Sequence, residues 1–190
     1  MEDVNAEWEE IILKKIIIAE KPSVAQEYAK VLGVSAKNRQ GFIENDTWIV
    51  TWTVGHLVTL SYPEKYNTVL KEWKMDTLPF IPDNYKYEII DATKKQFEVV
   101  KSLYNRPDIS AIYYAGDSGR EGLYIQMLVR MLAGHNPQAQ EKVVWINSQT
   151  EDEILNGISE AKSLTEYKNM SDAAYMRGIA DYLVGINFSR

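Results

Sequence analysis

Three carboxylates and two cations stand where this chain leaves its most apolar runs. Glu20 and Lys21 follow Ile16-Ile17-Ile18-Ala19, while Asp117, Arg120 and Glu121 follow Ala111-Ile112-Tyr113-Tyr114-Ala115. With Arg120 opening a helix, Asp117 and Glu121 lie one turn apart. All three acids then converge if the two apolar runs are neighbouring strands. Clustered carboxylates raise one another's pKa unless a cation neutralises them, and hard oxygen donors with room for water suit Mg2+. The chemistry of such a cluster is phosphoryl transfer. An ion offsets charge developing on a phosphodiester, a nearby carboxylate handles the proton, and Lys21 and Arg120 hold the phosphate.

The elements that must position these groups are readable from periodicity. Ile16 to Ala19 is a continuous β-branched run of the kind buried on both faces of a parallel sheet. Lys21-Pro22-Ser23 turns into a helix carrying Val24, Ala25, Tyr28, Ala29 and Leu32, with Pro22 in its first turn and Gly33 at its end. A hairpin is expected from Gly41–Glu44 and Thr47–Trp52 around Asn45-Asp46. Gly55-His56-Leu57 follows, and the proline-bearing stretch 61–84 reads as an ordered irregular loop. Tyr85 to Ile90 alternates like a strand. Capping-box patterns at Thr93–Gln96 and Thr150–Glu153 open two further helices. Between them come the Ala111–Ala115 strand, a glycine-bearing turn at 116–119, a helix from Glu121 to Ala133 ended by Gly134, and a strand at Val143–Ile146. From Ser171 a helical pattern runs to Arg190.

Strands alternating with helices predict an α/β domain with a mainly parallel sheet flanked by helices. It is expected over residues 14–150, after an extension at 1–13 and before helices at 151–190 that lead into a next domain.

Composition narrows the function classes. With 21 Lys+Arg against 27 Asp+Glu the net charge is −6, so any contact with nucleic acid is local rather than a broad basic face. The chain has 0 cysteines, which excludes disulfides, thiol catalysis and Cys-ligated metals and fits an intracellular setting. No apolar run nears the roughly 20 residues of a membrane span, and the acidic start lacks a signal peptide's basic region; a cytoplasmic protein without membrane contact is expected. Gly116-Asp117-Ser118-Gly119 echoes a serine-protease signature without its scaffold. The glycines at 116, 119 and 122 are wrongly spaced for a dinucleotide site.

Taken jointly, Ile18-Ala19-Glu20-Lys21-Pro22-Ser23 and Asp117-Ser118-Gly119-Arg120-Glu121-Gly122 resemble the Toprim domain of type IA DNA topoisomerases, closest to the topoisomerase III branch. Gly55-His56-Leu57-Val58, Trp73 with Leu78-Pro79, Gln96-Phe97 and Ala180–Arg190 are similar to that family as well. The resemblance implies a Toprim (Rossmann-like) fold and an ATP-independent, Mg2+-dependent isomerase. Such an enzyme cuts one strand of single-stranded or negatively supercoiled DNA through a tyrosyl phosphodiester, passes a strand and reseals. By the same resemblance Glu20 is the general acid/base, Asp117 and Glu121 are metal-associated, Lys21 and Arg120 lie near the scissile phosphate, and Arg177 and Arg190 grip DNA. Asp181 belongs to the same match.

Two positions depart from the family pattern, Gly119 in place of a second Asp and Leu123 in place of an acid or amide. No tyrosine has the Met-Arg-Thr-Asp-Ser-like context of the family's nucleophile. The chain is therefore expected to be an N-terminal portion that works with the remaining domains of the same polypeptide and does not relax DNA alone. The alternative is a non-catalytic or metal-deficient Toprim module for DNA binding or assembly. His56 is open between a role in the active-site wall and packing, whereas His135, after a helix C-terminus, is read as structural.

Overall fold

The computed structural model describes residues 12–35 and 40–189. In chain order, β1 (Lys14–Ala19) leads into α1 (Pro22–Val31), and β2 (Phe42–Glu44) with β3 (Trp48–Trp52) forms the expected hairpin. Asn45 shapes its turn by accepting from the amides of Thr47 and Trp48 at 2.9 and 2.7 Å. There follow β4 (Val58–Leu60), β5 (Tyr87–Ile89), α2 (Lys94–Tyr104), β6 (Ile109–Ala115), α3 (Arg120–Ala133), β7 (Gln140–Val143), α4 (Glu151–Ser159), β8 (Lys162–Ser163) and α5 (Lys168–Phe188).

The main sheet has the order β2-β3-β1-β6-β7-β8. Its four middle strands are parallel and both edge strands antiparallel. The two strands rich in aliphatic side chains, β1 and β6, lie side by side near the centre, where both faces are covered. Alternation divides β1 between two cores. Ile16 and Ile18 pack with Phe97, Val100, Leu123 and Leu128 under α2 and α3, while Ile17 and Ala19 pack with Val24, Ala25, Tyr28 and Ile154 under α1 and α4. The three isoleucines are at most 1% exposed, so each contributes about 1.5–3 kcal/mol of transfer free energy.

Several local expectations change. The strand anticipated at Tyr85–Ile90 shortens to β5 and joins β4 in a separate two-stranded sheet rather than the main one. The last parallel strand lies at Gln140–Val143, earlier than Val143–Ile146. The stretch 61–84 is irregular as expected, built from single 3-10 turns at Pro63–Lys65, Thr68–Lys71 and Met75–Thr77.

Neither capping box forms. Gln96 reaches away from its helix to the carbonyls of Gly41 and Trp52 at 3.1 and 2.7 Å, and Glu153 accepts from the Asn147 amide at 3.2 Å. For Gln96 distant carbonyls win over the local amide, and for Glu153 an amide of the preceding loop does.

Residues past 150 pack on the same body. Ile154 is fully buried, β8 extends the sheet, and α5 lies along α3. No helix among the described residues is long and apolar enough to cross a membrane. Arg190 and the extension up to residue 11 lie outside the described residues.

Candidate active site at the carboxyl ends of three strands

Because β3, β1 and β6 are parallel neighbours, their carboxyl ends finish level, with Ala19 opposite both Trp52 and Ala115. Open α/β sheets present their groups at this edge. The residues after each strand are then cross-tied. Thr53 donates from its amide to the Ala19 carbonyl at 2.8 Å and from its hydroxyl to the Glu20 carbonyl at 2.9 Å. Thr53 is fully buried, so Glu20 leaves the sheet on a fixed backbone. Gly55 turns at φ +79°, a region costly for other residues, and delivers His56 to the same edge.

Glu20 is only 8% exposed. Its Oε2 accepts from the Asp117 amide at 3.1 Å, and its Oε1 lies 3.6 Å from Lys21 Nζ. Lys21 also lies 3.7 Å from Asp117 Oδ2, so one ammonium stands between two carboxylates. The 116–119 turn is held from both sides. The Ser118 hydroxyl donates to the Ile146 carbonyl and accepts from the Ile146 amide. A Cβ added at Gly122 would overlap the Asp117 carbonyl, so the first turn of α3 sits directly on the turn that carries the acid. Beside Asp117 a cavity of about 290 Å3 opens between Tyr28 and the segment Ile146–Gln149.

Glu121, in the first turn of α3, is engaged elsewhere. His56 Nε2 lies 2.9 Å from Glu121 Oε1, and the imidazole meets the Tyr124 ring edge-on with centroids 6.1 Å apart. Burial raises the Tyr124 phenol above its ordinary value, keeping it neutral. Gly178 on α5 packs against that phenol so closely that an added Cβ would overlap its oxygen. The last long helix is thereby seated next to the His56 side of the site.

The expected convergence of Glu20, Asp117 and Glu121 is thus only partly realised. Glu20, Lys21 and Asp117 come together, whereas Glu121 pairs with His56. Among the described residues no group of three His, Cys, Asp or Glu is arranged to hold a metal ion. The physical reason is geometric: Lys21 stands between Glu20 and Asp117, and the Glu121 carboxylate is turned toward His56. Asp117 and Glu121 are nonetheless hard oxygen donors whose side chains are 60% and 68% exposed. That donor set fits a cation that keeps several of its waters, as Mg2+ does, and does not fit a closed cage.

The remaining expected residues are placed as follows. Arg120 is exposed at the first position of α3. Gly119 is extended, with open space beside it. Leu123 is buried in the core at 3% exposure, so that position contributes packing here. Arg177 is exposed on α5 and pairs with Asp181 at 3.5 Å. The His56–Glu121 pair is what sequence reasoning misses. Its only signal is a Gly-His dipeptide closing a strand that neighbours β1.

Comparison with known proteins identifies relatives of the chain as a whole. A family model described as "Toprim domain" matches residues 15–148. The chain is 42% identical over 178 residues to DNA topoisomerase 3 of Staphylococcus saprophyticus subsp. saprophyticus, covering 94% of this chain and 25% of the relative. It is 41% identical over 177 residues to DNA topoisomerase 3 of Bacillus subtilis, covering 93% and 24%. The chain therefore spans about a quarter of the length of the curated relatives it matches.

Proposed function

From the premise that this chain belongs to the Toprim domain family, we propose that it supplies the acid/base and Mg2+-binding half of a type IA, topoisomerase III-like active site. The other half, including the nucleophilic tyrosine, then comes from further domains of the same polypeptide, and this portion alone does not relax DNA. The proposed reaction is ATP-independent cleavage of one DNA strand, strand passage and resealing, on single-stranded or negatively supercoiled DNA. With DNA as partner, the proposed compartment is the cytoplasm.

The observation that carries this reading is Glu20, a nearly buried carboxylate fixed by the Asp117 amide beside a lysine at the edge where three strands end. In the proposed chemistry the Glu20 carboxyl holds or takes a proton at the scissile phosphodiester, a role for which a positioned side chain is worth about 10²–10⁴-fold. Lys21 and Arg120 bind phosphate oxygens, Lys21 as a point charge and Arg120 as a planar fork. Asp117 and Glu121 would hold Mg2+, which when bound offsets charge on the phosphate. Arg177 and Arg190 would contact the backbone of the DNA.

A second reading is favoured by the Lys21 ammonium between Glu20 and Asp117 and by Leu123 in the core: a module that binds DNA or partner domains without metal. The test uses the full-length protein. Glu20→Ala and Asp117→Ala are expected to abolish relaxation of negatively supercoiled DNA, and unchanged rates would remove both residues from the chemistry. Calorimetric titration with Mg2+ separates the two readings, since carboxylate-dependent heat is expected under the first and none under the second.

A further inference from the structure

On the buried side of α3, among Leu123, Ile125, Leu128 and Val129, lies one amide. Gln126 is 1% exposed, and nothing in the chemistry described so far uses it. Its Nε2 donates to the Ile18 carbonyl at 3.1 Å, two residues before Glu20. Only the nitrogen can donate to a carbonyl, so this bond fixes which way the amide points. The buried Oε1 has no hydrogen-bond partner among the described residues. Gln126 also lines a cavity of about 10 Å3 together with Gly116, Asp117, Leu123, Val143 and Trp145. That volume is about the size in which one water fits, and a water fits only where polar groups receive it. The Gln126 side chain also lies directly beneath the acid-bearing turn, since a Cβ on Gly116 would stand 3.4 Å from its Cγ.

We propose that Gln126 is a positioning residue: its amide nitrogen ties α3 to the end of β1, and its oxygen holds a buried water under the Gly116–Asp117 turn. Glu20 directly follows β1, and Asp117 lies in the turn that leads into α3. The two acids are therefore kept in register by one side chain that touches neither substrate nor metal. A leucine or methionine fills the same volume without these bonds, so the amide's contribution here is geometric rather than hydrophobic. The inference rests on the proposed roles of Glu20 and Asp117.

The test compares wild type, Gln126→Met and Glu20→Ala in the full-length protein. Gln126→Met is expected to lower kcat for relaxation about tenfold, the lower end of effects for groups that orient a site's ligands. KM for DNA and the thermal unfolding midpoint are expected to hold, the pattern of an interaction felt only at the reacting groups. Inactive Glu20→Ala beside fully active Gln126→Met would overturn this inference alone, whereas active Glu20→Ala would overturn the proposed function. A high-resolution crystal structure of the wild type is expected to show a water within hydrogen-bond distance of Gln126 Oε1. A dry cavity there would sink the proposal even if the variant failed to fold.

Discussion

Glu20 and Glu141 are equally shielded, each with a side chain 11% exposed, yet their surroundings differ. Glu141, on β7, accepts from Arg130 through both oxygens at 2.7 Å and from the hydroxyls of Tyr104 and Tyr114 at 2.9 and 2.7 Å. Burial alone would raise its pKa, but the bonds from Arg130 and Tyr104 outweigh that and hold it below the ordinary carboxylate range. Glu20 has one backbone donor at 3.1 Å and an ammonium at 3.6 Å, leaving acceptor capacity toward the open edge of the sheet. A saturated carboxylate fastens a fold. An unsaturated one at a strand end has lone pairs left for chemistry.

The contrast is broken or sharpened by perturbing each side. Arg130→Ala strips the site of its guanidinium and leaves Glu141 buried with the hydroxyls of Tyr104 and Tyr114 and, at 3.7 Å, the imidazole of His135. It should cost about 2–3 kcal/mol, read as a lower urea midpoint, and a change under about 0.5 kcal/mol would show Glu141 is not a structural anchor.

Acid should act on the same structural group. Asp108 is held below its ordinary value first by the Arg106 hydrogen bonds, as Glu141 is by its partners. Groups whose folded pKa is depressed stabilise above their ordinary values, here 3.8 for Asp108 and 4.5 for Glu141, and lose that contribution as pH falls through the lower folded values. The unfolding free energy is therefore expected to be flat toward neutral pH and to fall below pH about 4.5. Glu141→Gln should flatten part of that slope, and an unaltered slope would argue against the assignment.

The smallest effect concerns the turn under Asp117. Ser118→Ala removes both bonds to Ile146 and should cost about 1 kcal/mol. In the full-length protein it should also lower relaxation, because the acid-bearing turn loosens. Loss of stability with full activity would mean that the turn is held by Gly122 packing alone.

These regions also differ in how much of them can be read from residues in order. The strands β1 and β6 are legible because burial on both faces leaves an unbroken apolar run, and each acid is legible because it ends such a run. The small sheet is not. Its strands have three residues apiece and pair Val58 with Ile89 across an intervening loop, so neither carries a local pattern strong enough to announce it. Thr93 and Thr150 illustrate the opposite failure: a local motif is present, but Gln96 and Glu153 find partners elsewhere. Within the site, Glu20 beside Asp117 follows from strand adjacency. His56 against Glu121 is a contact between residues 65 positions apart, made possible by the turn at Gly55.

The most direct measurement is the relaxation rate of the full-length protein carrying Glu20→Gln, alongside its unfolding free energy. The amide keeps the shape and can still accept from the Asp117 amide, but it cannot exchange the proton. Turnover should drop by about 10²–10⁴-fold while stability stays within about 1 kcal/mol of wild type. Wild-type turnover by that variant would contradict the reading of Glu20 as the reacting carboxylate.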